Sequence, residues 1–170
     1  MALVGCDVNA ATTSPEPTPF VLSVEPAAKA GGACRMLDFA VIKQTTGVQF
    51  TVAVATTHRS TQTCVLQAGA DSRPDLVLSV TPTTADPDVF ADAMAPAGSQ
   101  ALPALGKAAY RITAAPRDDH GALVEVGWLS ADRRLISLRF TFAAGQARPA
   151  ADAFAQKLVA LAKKVEARPR

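Results

Sequence analysis

Little in this chain offers a function by motif. Aromatic residues make up only 5% of it, with one Trp and one Tyr, and charged residues make up 19%. The two histidines, His58 and His120, are 62 positions apart and the three cysteines include no CxxC pair, so a zinc site of the usual Cys/His kinds has no basis. No GxSxG, GxGxxG, P-loop, HExxH or EF-hand pattern occurs, which leaves the common hydrolytic, nucleotide-binding and calcium classes without a sequence claim. No apolar run approaches the roughly 18 residues of a membrane-spanning helix, and no internal period suggests a solenoid. Charge of either sign is also scarce in surplus. Seventeen Lys and Arg against fifteen Asp and Glu give +2, with five basic and six acidic residues in 1–85 and twelve and nine in 86–170. A nucleic-acid reader concentrates cations on one face, because each neutralised phosphate adds counterion-release free energy. Here they are scattered, apart from Arg133-Arg134 and the terminal Lys163, Lys164, Arg168 and Arg170. The terminal group reads as the solvated end of a helix, where cations meet the negative pole of the dipole.

What is present is a chain of 170 residues, 49% hydrophobic, which is enough for one domain with its own core. Its start is distinctive. Leu3-Val4-Gly5-Cys6 is an aliphatic residue, a spacer, a small residue and a cysteine. This resembles a bacterial lipobox, in which the cysteine sulfur receives a diacylglyceryl group and becomes the first residue of a membrane-tethered protein. Only five residues precede Cys6, fewer than an export signal carries, so either residues 1–6 are a signal remnant whose natural start lies upstream, or the match is accidental and the chain is cytosolic. Thr12, Thr13, Ser14, Pro15, Pro17, Thr18 and Pro19 follow, a composition suited to a flexible tether, which we extend over residues 7–33. Cys6 is thus the expected anchor to the extracytoplasmic face of the cell membrane.

With Cys6 set aside, Cys34 and Cys64 form the even pair typical of an oxidising compartment, and they are expected to be disulfide-bonded. The alternative is two buried free thiols in a cytosolic protein.

From residue 34 to 170 a single folded domain is predicted. Asp38 caps a helix that ends at Thr46 with Gly47 in the left-handed position. Residues 48–57 alternate, which predicts a half-buried strand presenting Phe50, Val52 and Val54 inward. A polar turn over 58–63 leads to two more strands, 64–67 and 76–81. Asp86-Pro87 starts a second helix with the apolar stripe Val89, Phe90, Ala93 and Met94. After a strand at 108–113 comes the clearest hairpin: Val124, Val126 and Trp128, then Ile136, Leu138, Phe140 and Phe142, alternate with polar or small residues. Pro149 opens a last helix whose Phe154, Leu158, Leu161 and Val165 lie on one stripe that must cover the sheet. Short turns between most strands make the sheet antiparallel and the fold α+β, a single domain with helices covering the sheet.

The order of these pieces is itself informative. A lipobox cysteine with a Pro/Thr tether, Cys34 before Leu37 and a helix ending in Thr46-Gly47, Cys64, the run Leu105-Gly106-Lys107-Ala108-Ala109, a hairpin and a closing Ala-rich helix together resemble a family of actinobacterial, mycobacterial-type secreted lipoproteins. That family is similar to the PsbP-type α/β/α sandwich. The resemblance implies an extracytoplasmic, disulfide-bonded protein with no established catalytic centre. It departs at Leu66, where the family often places an aromatic.

The remaining candidates for chemistry are few. His120 stands beside Asp118 and Asp119, but all three fall in one turn before Gly121, where such residues are favoured for backbone reasons, and His58 sits in a Thr-rich turn. Trp128, Phe140, Phe142 and Phe154 are the candidates for lining an apolar groove between sheet and helices. The expectation is a non-enzymatic lipid-anchored envelope protein that binds a partner protein or envelope component, or alternatively a carrier or sensor of a lipid or other apolar small molecule. No catalytic residue, metal, cofactor or nucleic-acid partner is expected.

Overall fold

The computed structural model describes residues 24–168 apart from Ala70 and Asp118. Cys6, the rest of the signal remnant and tether residues 7–23 lie outside the described residues. Two 3-10 turns, Ala27–Ala30 and Gly32–Met36, precede helix α1 at Phe39–Thr46 and strands β1 Val52–His58, β2 Thr61–Gln67 and β3 Asp75–Pro82. Helix α2, Pro87–Val89, runs on as a π-helical turn Phe90–Met94; then come β4 Gln100–Ala101, β5 Ala108–Ala114, β6 Leu123–Leu129, β7 Arg134–Thr141 and helix α3 Arg148–Glu166. All seven strands form one antiparallel sheet in the order β1-β2-β3-β7-β6-β5-β4, with helices packed against it, so the protein is a single-domain α+β fold.

Register places the apolar sets of the central strands on one face. Leu76 lies opposite Phe140, Leu78 opposite Leu138 and Val80 opposite Ile136, and across the next ladder Val124, Val126 and Trp128 meet the same three residues. Helix α3 lays Ala151, Phe154, Leu158, Leu161 and Val165 onto that face, and all are buried. Each fully buried Leu or Val there contributes roughly 1.5 to 3 kcal/mol by leaving water. Helix α1 has the expected ends: the Asp38 carboxylate accepts the N–H groups of Ala40 and Val41 at 2.8 and 3.1 Å, and Gly47 takes φ 81°. The Cys34–Cys64 disulfide is present and fully buried, joining the second 3-10 turn to β2.

Several expectations are corrected. The domain does not begin at Cys34. Ala27 and Ala33 are core residues, because a turn that brings Cys34 over β2 draws the preceding segment onto the sheet as well. In β1 the faces are inverted: Val52 and Val54 are 39% and 50% exposed, whereas Ala53 and Ala55 pack on the core. The physical reason is coverage. The second 3-10 turn packs on this side of β1, where a β-carbon on Gly32 would stand in ordinary contact with that of Ala55. Phe50 is buried but precedes the ladder, which opens at Val52 opposite Gln67. The turn expected over 58–63 contracts to Arg59-Ser60, with His58 paired to Thr61. The second helix starts at Asp86 and Pro87 as predicted, yet of its expected stripe only Phe90 is fully buried, Val89 and Ala93 being exposed and Met94 half-buried.

Replacing both disulfide cysteines tests the cross-brace. The bond spans a sequence separation of 30 residues. Cys34→Ser/Cys64→Ser is expected to lose about 3 to 4 kcal/mol of unfolding free energy in urea titration, through the entropy returned to the unfolded chain. A loss below about 1 kcal/mol would show that the fold does not rely on it.

Candidate functional site

Of the residues expected to line a groove between sheet and helices, three pack against one another and the fourth lies apart. Phe140 and Phe154 pack with tilted rings and centroids 4.3 Å apart, Phe142 meets Phe140 edge-on at 4.7 Å, and Phe50 closes the cluster at 6.4 Å. Phe140 and Phe154 are buried and Phe142 partly so, and these rings pack against one another in the main core. Trp128 lies elsewhere, fully buried and paired with Ile136, and its indole N–H donates to Glu166 at 2.9 Å, pinning the end of α3 to β6. His120 is in a turn with its Nδ1 2.7 Å from the Gly121 carbonyl, His58 is exposed at the end of β1, and Asp118 lies outside the described residues. Among the described residues no group of three or more His, Cys, Asp or Glu is placed to hold a metal ion.

A different cavity, on the face of the sheet away from α3, is lined mainly by apolar groups. It has a volume of about 490 Å³ and is lined by Phe90, Ala91, Ala95, Leu102, Pro103 and Tyr110 among others. The sequence builds it locally. Asp86 accepts the Val89 N–H at 2.9 Å and Pro87 starts the helix, and the turn then widens so that the Ala95 N–H reaches back five residues to the Phe90 carbonyl at 3.0 Å. That extra residue is the kind of π-helical insertion that recurs at functional sites. It turns Phe90 onto the sheet, where its ring stacks on Tyr110 at 5.8 Å. Tyr110 can lie flat because the residue directly across the ladder is Gly127, whose missing β-carbon would collide with the phenol ring. The Tyr110 hydroxyl donates to Glu125 at 2.6 Å, which fixes the ring. Leu129 completes this second, smaller core.

The electrostatics of the floor follow from that burial. Desolvation, reinforced by the hydrogen bond to Glu125 and its negative charge, holds the Tyr110 phenol well above the ordinary phenol range. With Tyr110 engaged, the lining offers apolar surface and the hydroxyl of Ser99, which suits an apolar group rather than a charged one.

Two further concavities bear on function. One, of about 380 Å³, lies where Val24 meets α1 and is lined by Pro26, Leu37, Phe39, Lys43, Phe50 and Arg168. There the Asp38 carboxyl is held below its usual range, chiefly by the Val41 N–H, and Arg168 stands 3.5 Å from it. The other, of about 270 Å³, is polar and lies between β4–β5 and the start of α3. Neither Phe90 nor Tyr110 was a sequence candidate; the available signal was the sole Tyr standing on a strand near a Gly-containing one, which becomes meaningful only with the register known.

Because Tyr110 is the only tyrosine, its ionisation can be followed directly at 295 nm. The folded protein is expected to show no phenolate at about pH 10, where free tyrosine is half ionised. Since the folded-state value is raised, its contribution to stability is intact below about pH 10 and is lost as pH climbs above that. Glu125→Gln should move the titration back down; an unchanged curve would remove Glu125 as a cause.

No protein-family model matches the chain, and no curated protein or solved structure matches it.

Proposed function

We propose that the protein is a non-enzymatic binding protein of the cell envelope, held at the extracytoplasmic face of the membrane by a lipid on Cys6, and that it takes an apolar group of an envelope component into the cavity between the π-helical turn and β4–β5. The observation that carries this is the cavity itself. Its volume of about 490 Å³ is the size of a small-molecule site, and its floor of Phe90 and Tyr110 is held rigid by stacking, by Gly127 and by the Glu125 hydrogen bond. A preformed apolar cavity binds at low ordering cost. The buried Cys34–Cys64 disulfide supports an oxidising compartment, and the lipobox-like Leu3-Val4-Gly5-Cys6 supports the anchor. The site differs from the groove expected from sequence, three of whose expected lining residues pack against one another.

A partner protein is the second reading, and one feature favours it. Edge strand β1 reads VAVATTH, without Lys, Arg, Asp, Glu or Pro to discourage strand pairing, and it exposes Val52 and Val54 on the face away from α3.

Binding of N-phenyl-1-naphthylamine, which fluoresces on entering apolar surroundings, tests the cavity. Wild-type protein is expected to bind the dye saturably, and Ala91→Trp to weaken it by about tenfold or more, since an indole overfills the space. No saturable binding, or equal binding by the variant, would overturn the cavity and leave the partner protein as the reading. Separately, native cells fed alkyne-palmitate are expected to label the protein in the membrane fraction and to lose the label in Cys6→Ser. Unlabelled wild-type protein in the soluble fraction would overturn the anchor.

A further inference from the structure

The polar cleft on the helix side of the same sheet edge brings together two arginines from separate elements: Arg111 from β5 and Arg148, the first residue of α3. Arg111 lies opposite Val126, so it shares the face that elsewhere carries the main core. A guanidinium at that position needs a reason, because an apolar residue would extend the core. Its charge is not met by a carboxylate ion pair among the described residues. Instead both its Nε and one terminal nitrogen donate to the side-chain carbonyl of Gln100, at 3.0 and 2.8 Å. Of the five N–H donors of an arginine this uses two and leaves three for another acceptor.

The carboxylate of the cleft is committed elsewhere. Asp152 accepts the Thr113 hydroxyl at 2.6 Å and stands 3.9 Å from the Arg148 Nε, a loose pair in which both side chains are more than half exposed. The cleft thus holds a guanidinium oriented by Gln100, a second cation and one carboxylate around a concave space of about 270 Å³. That is a donor set for an oxyanion, since guanidinium forks match carboxylate and phosphate geometry.

We propose that this cleft binds the phosphate or carboxylate group of a small ligand, with Arg111 as the principal ligand, Arg148 as the second cation and Asp152 as an internal competitor. The site stands independently of the apolar cavity across the strand. The test is an amide NMR titration of the full chain, in one arm with inorganic phosphate against chloride at equal ionic strength, and in another with monomeric dihexanoylphosphatidylglycerol. Saturable shifts at Gly98, Thr113 and Asp152 are expected. Phosphate binding points to a free anion as the natural source, and binding of the lipid alone to a headgroup. In either case Arg111→Gln should weaken binding by about tenfold or more, the usual loss for a charged hydrogen bond. Asp152→Asn, which keeps an acceptor for Thr113, should tighten it. Arg148→Gln, at an exposed position, serves if the Arg111 variant fails to fold, and should weaken binding as well. Binding by neither probe, or binding unchanged in the arginine variants, would overturn the proposal.

Discussion

The alternation of β6 and β7 under α3 is the constraint on which the rest of the molecule hangs. Val124, Val126 and Trp128 face Phe140, Leu138 and Ile136 on the side covered by α3, while Glu125 and Gly127 face Arg139 and Ser137 on the other. A slip of one residue in either strand would exchange that strand's two sets and send its three large apolar side chains into water. The cost of that slip, at roughly 1.5 to 3 kcal/mol for each large side chain, is comparable with the whole stability of an ordinary domain, so one register survives. Strand β3 inherits its register from β7, β2 from β3, and the buried disulfide then draws the amino-terminal turns onto the sheet.

The same two-residue period gives the free edge of the sheet its two characters. Strand β5 offers Tyr110 to one side and Arg111 to the other, and the two-residue β4 answers with Ala101 beside Tyr110 and Gln100 beside Arg111. The apolar cavity and the polar cleft are therefore neighbours on opposite faces, built from adjacent residues. Both exist because β4 is short and α3 does not extend its apolar stripe to this edge, so neither face is sealed. The small residues matter as much as the large ones: Gly127 makes room for a flat phenol, and the alanines of the π-helical turn leave volume where larger side chains would fill it.

Features that depend on neighbouring residues were legible in the sequence. The cap of α1 at Asp38, its end at Gly47, the Asp86-Pro87 start, the β6–β7 hairpin and the stripe Phe154, Leu158, Leu161 and Val165 each rest on contacts within one element or across one turn, so spacing alone reveals them. The candidate site was far less legible. Trp128, Phe140, Phe142 and Phe154 were recognisable as inward-facing aromatics, but whether such residues fill a core or surround a ligand depends on how closely α3 and Phe50 approach them, a distance no local pattern encodes.

By itself the sequence determined the antiparallel α+β class and the helix ends, because caps and periodicity act locally, and it narrowed Cys34 and Cys64 to a disulfide or two free thiols. Tertiary structure decided which face of β1 is covered, where the domain begins, how the turn after Val89 widens, and that Tyr110 meets Gly127. Each of these is settled by which elements compete for the same space, and an alternating strand carries no record of which of its two sides another element will claim.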